Sequence, residues 1–416
     1  MDEQEHLLDF KNDRDASLKK IEWFKLERVH GARILVAGAG AIGNEVLKNL
    51  ALLGVGHIYI FDKDTIEMSN LSRSVLYRPA DKGQPKAFTA ATAVEEINPN
   101  VRANSFVGDI RFDLGLGLLR RMDCVIGCLD SREARLALNG ACMMAGVPWI
   151  DAGIDTMDGQ VQAFDPAGGA CYECSFSRED YEEVTVSCSL YTSIYESSGH
   201  VPTTPTIASI MAGVQVQEAL KLLDRESWRD RNLLGRKFRF SGSTGRAEFL
   251  DLTPRPDCEA HERMQPDRIV ELPELGAAHT TVAALLEAAR GRLGPAATVE
   301  LNYELAVEAR CPECGRVKEL LKPELKLYRE QLWCDECRGA ARKTGGEQEA
   351  NARRRVWQSH VVRTHLLGGA SNPVAERLSG LTLSRIGVPP LDILEAQGPD
   401  GEVLYLELTG DADEIL

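Results

Sequence analysis

Residues 34–43 read Ile-Leu-Val-Ala-Gly-Ala-Gly-Ala-Ile-Gly, and residues 58–62 read Ile-Tyr-Ile-Phe-Asp. The order is strand, glycine-rich turn, helix, strand, acid. Gly38, Gly40 and Gly43 give the G-x-G-x-x-G spacing. Glycines let such a turn close tightly, let backbone N–H groups approach phosphate, and let the helix pack on the strand. Asp62 lies about 20 residues downstream, where such folds place a carboxylate on ribose hydroxyls. Alone, the pattern implies a nucleotide, with a nicotinamide-dependent oxidoreductase as the default reading.

The residues beyond Asp62 argue against that default. Arg73 and Lys86 stand at turn or helix starts after the second strand. Asp130 ends the apolar run that begins at Cys124. Two cations plus a carboxylate at the carboxyl end of a parallel strand suit a triphosphate and its Mg²⁺ better than a dinucleotide. With these residues in order, the chain resembles the ubiquitin-activating-enzyme-like adenylating family. That family includes enzymes of molybdopterin and thiazole biosynthesis and the ubiquitin-activating enzymes. The resemblance covers roughly residues 14–250.

The remaining chain sets the compartment and the organisation. Net charge is −15 over 416 residues, so the chain is a poor nonspecific nucleic-acid binder. No apolar stretch reaches the ~20 residues a bilayer span needs. The acidic start, Met1-Asp-Glu-Gln-Glu-His, does not read as a signal peptide. Eleven cysteines in such a chain favour metal and thiol chemistry over disulfides, and the expectation is a cytoplasmic protein.

Alternating apolar strands and amphipathic helices between residues 33 and 151 predict a Rossmann-like α/β fold. Its sheet is mixed and mostly parallel, with helices on both faces. Residues 158–165 and 236–252 read as antiparallel strands, and 206–223 as a long helix. Residues 1–31 read as a helical segment, 32–262 as an ATP-binding unit with a polar crossover loop at 177–204, and 263–416 as a smaller α+β domain containing a zinc ribbon. Residues 338–363 carry seven Arg or Lys, read as a solvated charged stretch.

The resemblance implies a chemistry. A small protein's terminal carboxylate attacks the α-phosphate of ATP, pyrophosphate leaves, and an acyl adenylate remains. It implies that Gly38, Gly40 and Gly43 line the nucleotide and that Asp62 holds the ribose. Asn70, Arg73 and Lys86 contact phosphates, and Asp130 binds Mg²⁺. Arg14 is the arginine donated to the phosphates of a partner subunit in a homodimer, with Arg28 as its rival. Asp130 also suits a helix cap, and Arg135 and Asn139 either face the phosphates or solvent.

Cys171 and Cys174 form a C-x-x-C pair, spaced to share one tetrahedral Zn²⁺. Cys258 and His261 stand where the family carries its second pair, and a thiolate with an imidazole serves zinc equally well. Cys311, Cys314, Cys334 and Cys337 make a second set, with 19 residues between the pairs, inside the zinc-ribbon window. A cross-pairing of Cys171 and Cys174 with a later pair is the rival arrangement. Cys188 lies in the polar loop, where activating enzymes that pass cargo onward as a thioester carry their cysteine. Cys124, Cys128 and Cys142 sit in apolar contexts and read as core.

The reading is therefore an activating enzyme for a small β-grasp, ubiquitin-like protein, working with ATP, Mg²⁺ and Zn²⁺ and with a conjugating enzyme or carrier as partner. The Pro-Thr-Thr sequence after Cys188 resembles the noncanonical ubiquitin-activating branch. Adenylation of a sulfur carrier without an enzyme thioester is the alternative. A nicotinamide-dependent oxidoreductase gives Arg73, Lys86 and Asp130 no role. A noncatalytic adaptor would not need all three.

Overall fold

The structure is a computed structural model that describes residues 11–177, 203–229, 231–311, 313–327, 334, 337, 361–368 and 373–416. Cys188 lies outside the described residues, as does most of the basic stretch at 338–363.

Five strands run parallel: β1 (Arg33–Ala37), β2 (His57–Asp62), β3 (Arg102–Val107), β4 (Cys124–Gly127) and β5 (Trp149–Asp155). Three antiparallel strands extend the sheet: β6 (Asp158–Phe164), β7 (Arg236–Ser241) and β8 (Arg246–Asp251). The order is β3-β2-β1-β4-β5-β6-β7-β8. Continuous apolar runs occupy the centre because a parallel strand is buried on both faces; Ile34, Leu35, Val36 and Ala37 are fully buried. Strand order reverses between β1 and β4, so a crevice opens at their carboxyl ends. The glycine turn and residues 128–130 border that crevice.

After a short helix α1 (Leu26–Gly31), helices cover both faces. One face carries α2 (Ala41–Leu53) and α3 (Lys86–Ile97), and the other carries α4 (Leu116–Leu119) and α5 (Arg132–Ala145). The first face also carries α6 (Pro205–Leu223), whose Met211 and Val216 join Val46, Leu50 and Ala90 in one core. On the second face Leu119, Leu138 and Cys142 pack on Leu35, Tyr59 and Trp149. Gly54 and Gly146 end α2 and α5 in the left-handed conformation, at φ 75° and 73°.

Within residues 11–31, the described part of the leading segment, a 3-10 turn at Leu18–Lys20 and α1 are helical. The Asp13 carboxylate accepts from the Asp15 N–H at 3.0 Å and pairs with Lys19 at 2.6 Å. Such local side-chain bonds compete with a helix ladder.

A second sheet contains β9 (Ile269–Glu271), β10 (Thr298–Arg310), β11 (Val317–Pro323), β12 (Val361–Leu367), β13 (Ile393–Gln397) and β14 (Val403–Glu407). Its order is β11-β10-β13-β14-β9, with β12 also paired to β10. Helix α7 (Val282–Leu293) packs Leu285, Leu286 and Ala289 on Val299, Leu394 and Leu406. No helix among the described residues is long and apolar enough to cross a membrane.

The two sheets are tied through α4. Glu407, fully buried, ion-pairs with both Arg120 and Arg121. The Gly117 N–H donates to the Leu391 carbonyl at 2.8 Å, and the Leu116 N–H donates to Asp392 at 3.1 Å. A Cβ on Gly117 would stand 2.5 Å from the Leu391 oxygen, so this approach demands glycine. Burial pushes the Asp392 carboxyl up to about 7. Ala412, Ile415 and Leu416 lie against the aromatic face of β2 and β3, where Phe61 and Phe106 stack at 5.2 Å.

Glu407→Gln should leave two arginines without their shared anion. The expected cost is about 3 kcal/mol, the low end for breaking a buried pair because both arginines keep some water contact. Urea unfolding should show a lower midpoint; an unchanged midpoint would mean the pair stabilises nothing.

Candidate functional site

The turn between β1 and α2 is built by contact. A Cβ on Gly43 would stand 2.0 Å from the Gly38 carbonyl oxygen, and one on Gly38, at φ +99°, would stand 2.5 Å from the Cys128 carbonyl oxygen. Both glycines are therefore required by packing. Gly40 differs: apart from its chain neighbours, nothing lies within 4 Å of its Cβ position. That glycine faces the open crevice, where a bound group would meet the backbone.

Asp62 ends β2 beside this turn. Its carboxylate accepts from the Ala39 N–H at 2.7 Å and from the Asp64 N–H at 2.8 Å. Burial raises the Asp62 carboxyl above the usual carboxylate range, and the nearby Lys86 charge opposes the shift. Lys86 opens α3 and reaches back to the Asp64 carboxylate at 2.9 Å, with its side chain largely buried. Backbone bonds hold this arrangement: Lys86 N–H to Asp64 carbonyl at 2.9 Å, and Ile66 N–H to Gln84 carbonyl at 2.9 Å. Asn70 is buried and accepts from the Glu67 N–H at 3.0 Å. Arg73 is half-buried, with one Nη donating to the Ser69 carbonyl at 2.9 Å.

Asp130 is exposed just past β4. It does not cap α5. Ser131 does, its hydroxyl accepting from the Ala134 N–H at 3.3 Å. Arg135 and Asn139 turn neither to a phosphate site nor to solvent. Arg135 pairs with buried Asp151 at 2.9 Å, and Asn139 accepts from Trp149 Nε1 at 3.3 Å and the Tyr172 N–H at 3.1 Å. Arg28 is paired with Asp224 at 2.7 Å. Arg14 donates to the Ile97 carbonyl at 2.7 Å. Ile97 ends the helix that Lys86 begins, about 16 Å away at 1.5 Å per residue.

Sequence reasoning missed Asn44 and Tyr77. Fully buried Asn44 donates to the Ala39 and Gly40 carbonyls at 2.7 and 3.0 Å and accepts from the Leu76 N–H at 2.9 Å. The Tyr77 hydroxyl donates to the Ala39 carbonyl at 2.7 Å. An asparagine four residues after Gly40, on the first turn of α2, was the available signal.

Two cysteine clusters stand apart from the crevice residues. The ligand atoms of Cys171, Cys174, Cys258 and His261 all lie within 4.8 Å of one another, and so do those of Cys311, Cys314, Cys334 and Cys337. Sulfur separations are 3.8 Å for Cys171–Cys174 and 3.6 Å for Cys171–Cys258. The second cluster gives 3.8 Å for Cys311–Cys337 and 3.6 Å for Cys314–Cys334. A tetrahedron with ~2.3 Å Zn–S bonds has edges of about 3.8 Å. Both sets can hold a metal such as zinc, and the cross-pairing of the two sets is excluded by this grouping. Gly315 turns the second knuckle at φ +70°. Cys124 and Cys142 are core, and burial pushes the Cys124 thiol up to about 12.

Comparison with known proteins gives the relatives. The model of the ThiF family matches residues 12–260. The chain is 31% identical over 234 residues to the Bos taurus adenylyltransferase and sulfurtransferase MOCS3, covering 56% of this chain and 49% of that protein. It is 33% identical to a Thermus thermophilus sulfur carrier protein adenylyltransferase, covering 47% of this chain and 71% of that protein. It is 29% identical to a Dictyostelium discoideum ubiquitin-like modifier-activating enzyme 5, covering 47% of this chain and 54% of that protein. A crystal structure of E. coli MccB with succinimide shares the fold at TM-score 0.50 and 20% identity, covering 60% of this chain and 74% of that one. The chain thus spans about half the length of the bovine relative, 49%.

Elemental analysis of the purified protein should find about two zinc ions per chain, one for each four-ligand cluster. Cys311→Ser should lose one ion and Cys258→Ser the other. A ratio of one or none in the unmodified protein would reject the two-site arrangement.

Proposed function

The chain belongs to the ThiF family, and from that premise we propose that it adenylates the carboxyl terminus of a small β-grasp protein, using ATP and Mg²⁺. A carboxylate oxygen of the cargo attacks the α-phosphorus. The bond from that phosphorus to the bridging oxygen breaks, and pyrophosphate leaves with the electron pair. Two anions must meet, so the site has to offset negative charge and hold both reactants.

The observation that supports this reading is the glycine turn with open space at Gly40, its Ala39 N–H bound by Asp62 and its Ala39 carbonyl joined through the Tyr77 hydroxyl to the start of the helix that Lys86 opens. Gly38, Gly40 and Gly43 line the phosphates in this proposal, and Asp62 takes the ribose. Lys86 exchanges Asp64 for phosphate oxygens, Arg73 swings from the Ser69 carbonyl, and Asn70 completes the set. Asp130 holds the Mg²⁺, a role its exposed place past β4 leaves open. Arg14 stands at the far end of α3 from Lys86. That placement favours action in trans, on the phosphates of a partner subunit in a homodimer.

The substrate class follows the relatives. Their names include activation of sulfur carriers and of ubiquitin-like modifiers. We favour a ubiquitin-like cargo passed to Cys188 as a thioester and then to a conjugating enzyme or carrier. Sulfur-carrier adenylation without a thioester is the second reading. Residues 32–262 form the adenylating unit in this proposal, with 1–31 as a leading segment and 263–416 as a zinc-bearing platform.

Asp130→Ala should lower Mg²⁺-dependent ATP–pyrophosphate exchange by about a hundredfold or more, with an unchanged melting temperature. Undiminished exchange would remove the metal role from Asp130.

Cys188→Ser should retain exchange and lose any reductant-cleavable adduct with the cargo, because adenylation precedes thiol attack. An adduct that survives the substitution would move the thiol role elsewhere. No adduct in the unmodified enzyme would favour the sulfur-carrier reading.

A further inference from the structure

Every peptide around Gly40 is gripped from the protein side. The Ala39 N–H is bound by Asp62 at 2.7 Å. The Ala39 carbonyl accepts from Asn44 Nδ2 and from the Tyr77 hydroxyl, each at 2.7 Å. The Gly40 carbonyl accepts from Asn44 Nδ2 at 3.0 Å and from the Asn44 N–H at 2.9 Å. A trans peptide sets its N–H opposite its C=O, and no described peptide bond is cis. Pinning the Ala39 carbonyl inward therefore aims the Gly40 N–H outward, and pinning the Gly40 carbonyl does the same for the Ala41 N–H. Beside these donors, the Cβ position of Gly40 meets nothing within 4 Å apart from its chain neighbours, so the turn borders open space.

We propose that Asn44 and Tyr77 are positioning residues that hold the turn's N–H groups in a phosphate-receiving arrangement, and that Asn44 couples this turn to the loop carrying Asn70 and Arg73. The proposal rests on the ATP reading of the same crevice. Asn44 has one amide orientation that fits its surroundings: Nδ2 toward two carbonyls and Oδ1 toward the Leu76 N–H. Leu76 and Tyr77 close the segment that begins at Asn70, so one side chain links the two phosphate-facing elements. Tyr77 also lies within 3.3 Å of the Lys86 carbonyl, which places its hydroxyl between the turn and the start of α3. Neither side chain needs to touch the ligand. Each fixes a carbonyl whose rotation would turn a donor away.

The test uses the full chain and two probes, ATP and adenosine, because only ATP carries the phosphates this arrangement serves. Tyr77→Phe keeps the ring and removes the hydroxyl. Asn44→Asp keeps the shape and removes the donor. Calorimetry should show ATP binding weakened about five- to tenfold by Tyr77→Phe, the scale of one hydrogen bond, with adenosine affinity unchanged. The KM for ATP in pyrophosphate exchange should rise by the same factor while kcat holds. Asn44→Asp should act in the same direction and more strongly. Equal losses for ATP and adenosine, or none for Tyr77→Phe, would overturn the positioning role while leaving the ATP reading in place. An unmodified protein that binds adenosine and ATP equally, or neither, would reject the ATP reading and this proposal with it.

Discussion

The crevice depends on one close approach. Gly43 rests on the Gly38 carbonyl, and Gly38 rests on the Cys128 carbonyl, with no room for a Cβ at either place. This contact draws the start of α2 against the carboxyl end of β4, although 84 residues of chain lie between Gly43 and Cys128. It brings the segment that carries Asp130 beside the glycine turn. A side chain at Gly38 or Gly43 would push α2 off the sheet and widen the strand switch point on which every other site residue is hung.

Local signals were legible because the physics behind them is local. Apolar runs gave the central parallel strands, and Asn98-Pro99 ended α3 where proline disfavours helix. The cysteine spacings gave each pair and the second four-ligand cluster, while the family resemblance joined Cys258 and His261 to Cys171 and Cys174; the grouping in the fold is the same. The failures are non-local. Arg135 looked free to meet a phosphate but is held by Asp151 on a neighbouring strand. Asn139 is occupied by Trp149 and Tyr172. Lys86 was visible as a cation, but its hold on Asp64 was not, because a bridge between Thr65 and Pro85 creates that meeting. Asn44 drew no reading from the sequence, because the three backbone groups that meet it converge only in the fold.

The metal clusters differ in what they hold. In the first, the pair at 171 and 174 meets a pair 87 residues later. The Cys174 sulfur also accepts from the Arg255 N–H at 3.3 Å, so the segment after β8 is drawn against the 3-10 turn at Tyr172–Ser175. A metal there would fix the root of the crossover region and the path toward the second sheet at once. The second cluster closes the turn between β10 and β11, where Cys311 donates its N–H to the Arg316 carbonyl at 2.8 Å. It belongs to the edge of the second sheet and contributes nothing to the crevice.

The connection from β3 to β4 contains only the one-turn helix α4, too short to cover the sheet it crosses. A parallel sheet exposes both faces, and Tyr59, Phe61 and Phe106 would otherwise meet water. Residues 412–416 supply the missing cover: Asn104 Nδ2 donates to the Ile415 carbonyl at 3.2 Å, and Leu416 joins the same core. The second sheet is therefore part of the first sheet's packing and not a loosely attached addition. Glu407 between Arg120 and Arg121 sets the register of that packing, since a buried anion has no equally good position one residue along. Movement of the second sheet would strip cover from β2, the strand that ends in Asp62. The crevice at the strand switch point and the second sheet are therefore mechanically joined through that strand.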